Sequence, residues 1–346
     1  MVKPETLATL LIASVFILTI TVSLVYTIPV GADIHFHFKV AKVWAEGGNG
    51  MFSSYVFRIN KYPYPPLFHW LLVPSVWAGC EYEFARVLQT LFYPLTLAFS
   101  MWLMWKKVGK QQALLTGMLL MSSLSMFDGC FQVKPQALDM MLLPLILYCF
   151  VADKTWQFTF LASILVYSHG LAAFILLSGM LMYSLTQNTR NNKFYFTILL
   201  TLPVLIVSIV YLPGAVSMWG LPSDTPQERT FWANPLLFTV TYLGSLTVGI
   251  PIAIHNLFRW HSLDKFTKTV MFTTAGLCLM LLPWADRFLQ YVVIPFSFLT
   301  ASYVTESSHK KILIPLLIMV FAFYAVLPWF WLSCDGYYIN LGGLYK

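Results

Sequence analysis

Three groups able to move a proton or hold a metal follow directly on an uncharged apolar run. The run extends from Thr6 to Val30, and the groups are Asp33, His35 and His37. A carboxylate can accept the proton of a hydroxyl, and a carboxylate with imidazoles can bind a divalent cation. A helix through this stretch puts Asp33 and His37 on one face at i and i+4. An extended chain aligns all three. More polar groups stand where other apolar runs end. They are Asp128 in Met126-Phe127-Asp128-Gly129-Cys130, Lys134 ahead of Pro135, His169-Gly170, and Asp286-Arg287. Polar residues at membrane depth are costly and mark function. Asp33 and Asp128 are the candidate catalytic carboxylates. Arg287, Lys134, His169, Tyr64 and Asp286 are the candidate substrate and phosphate contacts, because a forked or compact cation suits a phosphate and a tyrosine face suits a sugar. His35 and His37, with Asp33 and Asp128, are candidate ligands for a divalent metal such as Mg or Mn. Asp139, deeper in its run, is read as a partner for Lys134 or as another buried base.

The elements that must position these groups are membrane helices. Of 346 residues, 58% are hydrophobic and 10% charged, with a mean hydropathy of +0.71. A soluble domain carries about 25% charged residues, so there are too few polar side chains to coat a globule. No hydrophilic stretch is long enough for a separate soluble domain, and residues 1–346 read as a single transmembrane domain. The net charge of +7 marks cytoplasmic loops rather than nucleic-acid binding. The first apolar run is too long for a signal-peptide core and reads as an uncleaved anchor. Cys80, Cys130 and Cys334 fall on one expected side, where a disulfide is an option; Cys149 and Cys278 read as buried thiols.

Apolar runs predict about 11 spans, at 6–30, 83–105, 111–127, 135–151, 155–168, 170–187, 194–213, 234–258, 267–284, 287–304 and 311–332. Residues 65–79 are apolar but short. If they do not cross and the N-terminus is cytoplasmic, nearly every short inside loop is basic. Lys106, Lys107 and Lys110, then Arg259, Lys265 and Lys268, are examples. The segment is therefore expected to lie in the outer interface, opened by Pro65-Pro66. Residues 35–46 predict an amphipathic interfacial helix, broken by Gly47-Gly48-Asn49-Gly50. The C-terminus and all the candidate site residues then face outside. No Walker motif, dinucleotide fingerprint or zinc-protease motif is present.

The layout resembles the GT-C superfamily of membrane glycosyltransferases, which includes protein mannosyltransferases, aminoarabinose transferases and oligosaccharyltransferase catalytic subunits. The resemblance rests on an aspartate closing the first span and on the tyrosine–proline segment from Tyr62 or Tyr64 through His69. It also rests on Phe84-Ala85-Arg86-Val87-Leu88, Ser168-His169-Gly170-Leu171, and Arg287 through Pro295. It implies an all-α polytopic fold and sugar transfer from a polyprenyl-phosphate or -diphosphate donor at the outer face. It also implies a catalytic or metal-linked role for Asp33, an assisting role for Asp128, and a donor-phosphate contact for Arg287. The chain departs from the pattern in lacking a large C-terminal soluble domain, a W-W-D-type acceptor motif, and a second acid beside Asp33. Expected partners are the lipid-linked donor and membrane lipids. The rival readings are a transporter or flippase, which predicts inverted repeats that the sequence lacks, and a non-catalytic membrane subunit, which predicts that Asp33 and Arg287 are dispensable.

Overall fold

The computed structural model describes residues 3–25, 33–54, 56, 63–187, 192–211, 234–281 and 285–324. All regular structure among them is helical. Helix α1 (Pro4–Val25) begins with a proline and an acid in its first turn, both suited to a helix N-terminus. Helix α2 (Asp33–Ala45) realises the amphipathic segment expected from the sequence. Helix α3 (Leu67–Ala78) ends at Gly79, whose φ of 64° only glycine adopts without strain. It has 12 residues, about 18 Å of helix against a hydrocarbon core of about 30 Å. It packs on α2.

Helices α4 (Glu81–Lys107), α5 (Lys110–Met121) and α6 (Leu124–Phe131) follow. The run expected as one span at 111–127 is not straight. It breaks at Ser122-Ser123, where α5 and α6 meet at 80°. Ser123 caps α6 by accepting from the Met126 amide. The chain continues through α7 (Pro135–Val151), α8 (Thr155–His169), α9 (Leu171–Thr186) and α10 (Asn192–Val210). Then come α11 (Pro235–Leu243) and α12 (Gly249–Phe258), joined by a 3-10 turn, followed by α13 (Lys265–Leu277), α14 (Ala285–Glu306) and α15 (Lys310–Tyr324). Four stretches are long and apolar enough to cross a membrane: Pro4–Leu24, Glu81–Lys107, Pro235–Phe258 and Arg287–Glu306. Pairing α5 with α6 adds a fifth, and shorter apolar helices stand at Pro135–Val151, Ala173–Thr186 and Phe194–Val210.

Helix α14 is the axis of the bundle. In its apolar window 89% of residues are buried, against 22% in α1, whose side chains face outward. It packs on α5, α6, α12 and α13, and the main core gathers round it. Helices α9 and α13 approach through Gly179 and Gly276, where a side chain would strike the facing backbone. A second, smaller core joins α2 and α3 to α4 and the start of α7, through Ile34, Ala41, Phe68, Leu72, Ala85 and Val133. The first loop is thus bound down as a packed cap over one end of the bundle. At the other end Lys110 pairs with Glu5, Lys265 with Asp153, and Lys107 and Lys154 both lie over Tyr148. Loops assigned to the basic side therefore do meet there.

Cys80, Cys130, Cys149 and Cys278 are free thiols, and Cys334 lies outside the described residues. Cys130 is fully buried beside Thr96 and forms no bridge with Cys80; the options with Cys334 lie outside the described residues. Cys278 is exposed, not buried as expected from its apolar run.

Candidate functional site

Beneath the cap a set of buried polar side chains from five elements comes together. The first is Lys134. Proline disfavours helical backbone in the residue before it, and Lys134, before Pro135, is extended at φ −147° and ψ 160°. The side chain thus leaves the helix direction and is buried, with 5% exposure. Among the described residues no carboxylate pairs with it. Its charge acts on His37 across the site.

Asp139 is not its partner, contrary to the expectation. The Asp139 carboxylate accepts from His169 Nδ1 and, at 2.8 Å, from the Tyr291 hydroxyl. His169 closes α8, and the break at Gly170, φ 58°, frees the ring from the next helix. Tyr291 lies on α14 one turn beyond Arg287, so both share a face, and Arg287 is close enough to act electrostatically on its hydroxyl. Tyr64 stacks on His169 with ring centroids 6.5 Å apart and 19° between planes. The same ring meets His37 and His69 edge-on. Tyr64 thereby connects the capping loop to the bundle.

The two histidines of the first loop separate. Two residues along a helix is about 200° of rotation, so His35 and His37 cannot align as they would in an extended chain. His35 turns to Tyr82, while His37 is buried against His69, Nδ1 to Nε2 at 3.0 Å. The helical alternative, with Asp33 and His37 at i and i+4, is the backbone arrangement found. The side chains of Asp33 and Asp286 lie outside the described residues; their backbones open α2 and α14. Asp128 sits on α6, half-buried, with Oδ1 accepting from Gln132 at 2.7 Å and Oδ2 from Gln290 on α14. It ties the bent segment to the central helix. Among the described residues no group of three or more metal-ligating side chains assembles. His35 and His37 diverge and so cannot share one ion, while the side chain of Asp33 lies outside the described residues.

His69, Tyr291 and Gln290 belong to the site and were not singled out from the sequence. His69 had a readable signal: it is four residues after Pro65, whose carbonyl takes its Nδ1 proton at 3.2 Å. Burial holds His37 down at about 3, with smaller contributions from its neighbours His169 and Lys134. Burial also holds His69 well below the ordinary histidine value. Both are therefore neutral in the fold. An unfolded histidine gains a proton near pH 6.5. Between that pH and about 3 the unfolded chain binds more protons than the fold, so stability falls as pH falls through the window. The slope reaches about 1.4 kcal/mol per pH unit for each such group. Thermal melts in detergent from pH 7.5 to 5 should show this loss. His37→Gln combined with His69→Gln should flatten it, and an unchanged slope would reject the account.

A polytopic all-helical bundle, with a packed first-loop cap over a site rich in imidazoles and cations, is a fold with solved counterparts. The particular structures it matches are two of ArnT from Cupriavidus metallidurans. For the apo state the TM-score is 0.55 at 14% identity, over 89% of this chain and 62% of that one. For the state bound to undecaprenyl phosphate the TM-score is 0.51 at 16% identity, over 90% and 63%. The chain thus spans under two thirds of the ArnT chains, and the likeness is one of fold. No family model matches the sequence, and no match is found among curated proteins.

Proposed function

We propose that this protein is a membrane glycosyltransferase that moves a sugar from a polyprenyl-phosphate or -diphosphate carrier to an acceptor at the outer or luminal face. The observation that carries the reading is Lys134, a buried cation with no carboxylate pair among the described residues, in a site beside an apolar bundle. A buried charge is costly unless compensated, and a lipid phosphate supplies the compensation. Arg287, on the neighbouring face of α14, is the second phosphate contact. The ArnT structure with bound undecaprenyl phosphate supports this ligand chemistry on the same fold.

The carrier phosphate is the leaving group. As the anomeric carbon–oxygen bond breaks, the electron pair goes to phosphate, and Lys134 and Arg287 offset the charge that develops. Asp33, at the start of α2 and one helical turn before His37, acts on the acceptor hydroxyl as base or orienting group. Tyr64 offers its face to the sugar, and Asp286 lies beside Arg287. Asp128, through Gln290, fixes the start of α14 and with it Arg287. No step is routed through a metal. Purified protein offered radiolabelled polyprenyl-phosphate sugars, with and without EDTA, tests the reading. Transfer or sugar release from one donor is expected. Neither turnover nor binding with any donor would reject it in favour of transport or a non-catalytic role.

A further inference from the structure

We propose that His169, held by Asp139 and Tyr291, takes the proton of the acceptor hydroxyl, so that the site works through an aspartate–histidine dyad with Asp33 left to orient the acceptor. The proposal rests on the lipid-phosphate donor reading above.

Hydrogen-bond polarity fixes the wiring. The Tyr291 hydroxyl has one proton, which it gives to Asp139 Oδ2 at 2.8 Å. An ionised carboxylate only accepts, so the proton in its bond with His169 must sit on Nδ1. The neutral ring then carries its lone pair on Nε2, and among the described residues nothing donates there. The other two imidazoles near the site also carry the proton on Nδ1, but they have different partners. The Pro65 carbonyl requires the His69 proton on Nδ1, so His69 Nε2 accepts from His37 Nδ1. That pair is neutral and has no carboxylate on it, and burial opposes its charging. Of the three rings, only His169 has a carboxylate ready to stabilise an imidazolium.

Asp139 carries a second sign of use. It is fully buried, and its Oδ1 has no hydrogen-bond partner among the described residues. An unsatisfied buried carboxylate oxygen is disfavoured, and such exceptions collect at working sites. The groups facing His169 are Asp139 on its α7 neighbour, Tyr291 and Arg287 on α14, Tyr64 before α3, and the His37–His69 pair. Lys134 stands at the start of α7.

The step balances as follows. The acceptor O–H bond breaks, its proton goes to Nε2, and the acceptor oxygen bonds to the anomeric carbon. The carbon–oxygen bond to phosphate breaks, and its electron pair leaves with the phosphate. The imidazolium, with Nδ1–H toward Asp139, later returns the proton to solvent or to the released phosphate.

The test uses the full chain labelled with ring-15N histidine, of which there are seven residues, beside a transfer assay. One signal, assigned by its loss in His169→Gln, should show the neutral ring protonated on Nδ1. Asp139→Asn should lose that fixed tautomer. Transfer should fall by about 10²–10⁴-fold in His169→Gln, with undecaprenyl phosphate binding retained. Tyr291→Phe should fold and keep the His169 proton on Nδ1, because the Asp139 bond to that nitrogen remains. A His169 ring protonated on Nε2 in the wild-type protein, or transfer within tenfold of wild type in His169→Gln, overturns the proposal. If no undecaprenyl phosphate binds, the donor reading fails, and the tautomer of His169 still decides the dyad.

Discussion

Exchanging Lys134 for Gln is expected to weaken binding of undecaprenyl phosphate by about 30- to 5,000-fold while leaving the melting temperature of the free protein unchanged or raised. The two effects have one cause. Truncating one member of a buried, hydrogen-bonded charge pair costs about 2–5 kcal/mol of binding, at about 1.4 kcal/mol per tenfold. In the free protein Lys134 has no carboxylate to repay its desolvation, and removing an unpaired buried charge does not destabilise a fold. A merely structural lysine predicts the reverse: a lower melting temperature and donor binding untouched. Arg287→Gln should weaken binding as well, but its side chain has other interactions in the free protein, so some loss of stability is expected there. Thermal shift and binding measured on the same two variants separate these outcomes. Donor binding by Lys134→Gln within threefold of wild type would remove the observation on which the function rests.

The helices were legible because their signal is local. The runs at 135–151 and 155–168 coincide with α7 and α8 almost to the residue, and the basic loops identified 65–79 as a segment that lies on the surface of the bundle. The break at Ser122-Ser123 was not legible: hydrophobicity continues through it, and the bend exists because Ser122 meets Ser245 and Ser123 meets the Tyr242 carbonyl, both more than a hundred residues on. The site divides along the same line. Boundary position exposed Lys134, His169 and Arg287, since a polar group ending an apolar run stands out by itself. Partners did not follow from spacing. Asp139 was paired with Lys134 because five residues separate them. Five residues turn a helix by about 140°, and Lys134 is extended before the helix begins. The true partners of Asp139 are 30 and 152 residues away. His69 and Tyr291 lay within the motifs that carry the family resemblance but were not given roles, because a single polar residue in an apolar segment reads as ordinary packing until its neighbour is known. The His35–His37 alternation failed for a different reason. A two-residue period serves only a strand, and Asp33–Ala45 is helical.

Asp33→Asn is the second large expected effect: transfer lower by about 10²-fold or more, with folding and donor binding preserved. The helix that Asp33 opens is anchored elsewhere. Ile34 and Ala41 are fully buried in the small core of the cap, and His37 is held by His69. Asparagine is also a good residue at a helix start, so the substitution removes charge and leaves the cap. What it removes is the charge of the residue one helical turn before His37. A positioned carboxylate acting on a hydroxyl, as base or as orienting acceptor, contributes about 10²–10⁴-fold. The side chain asparagine presents is isosteric and accepts one hydrogen bond, so a role confined to orientation leaves measurable residual transfer. A role as sole base leaves none. Comparison with His169→Gln under the same conditions assigns the proton. Residual transfer in Asp33→Asn with none in His169→Gln places it on the dyad, and the opposite order places it on Asp33. Full transfer in Asp33→Asn would show that the end of the first span has no part in the chemistry.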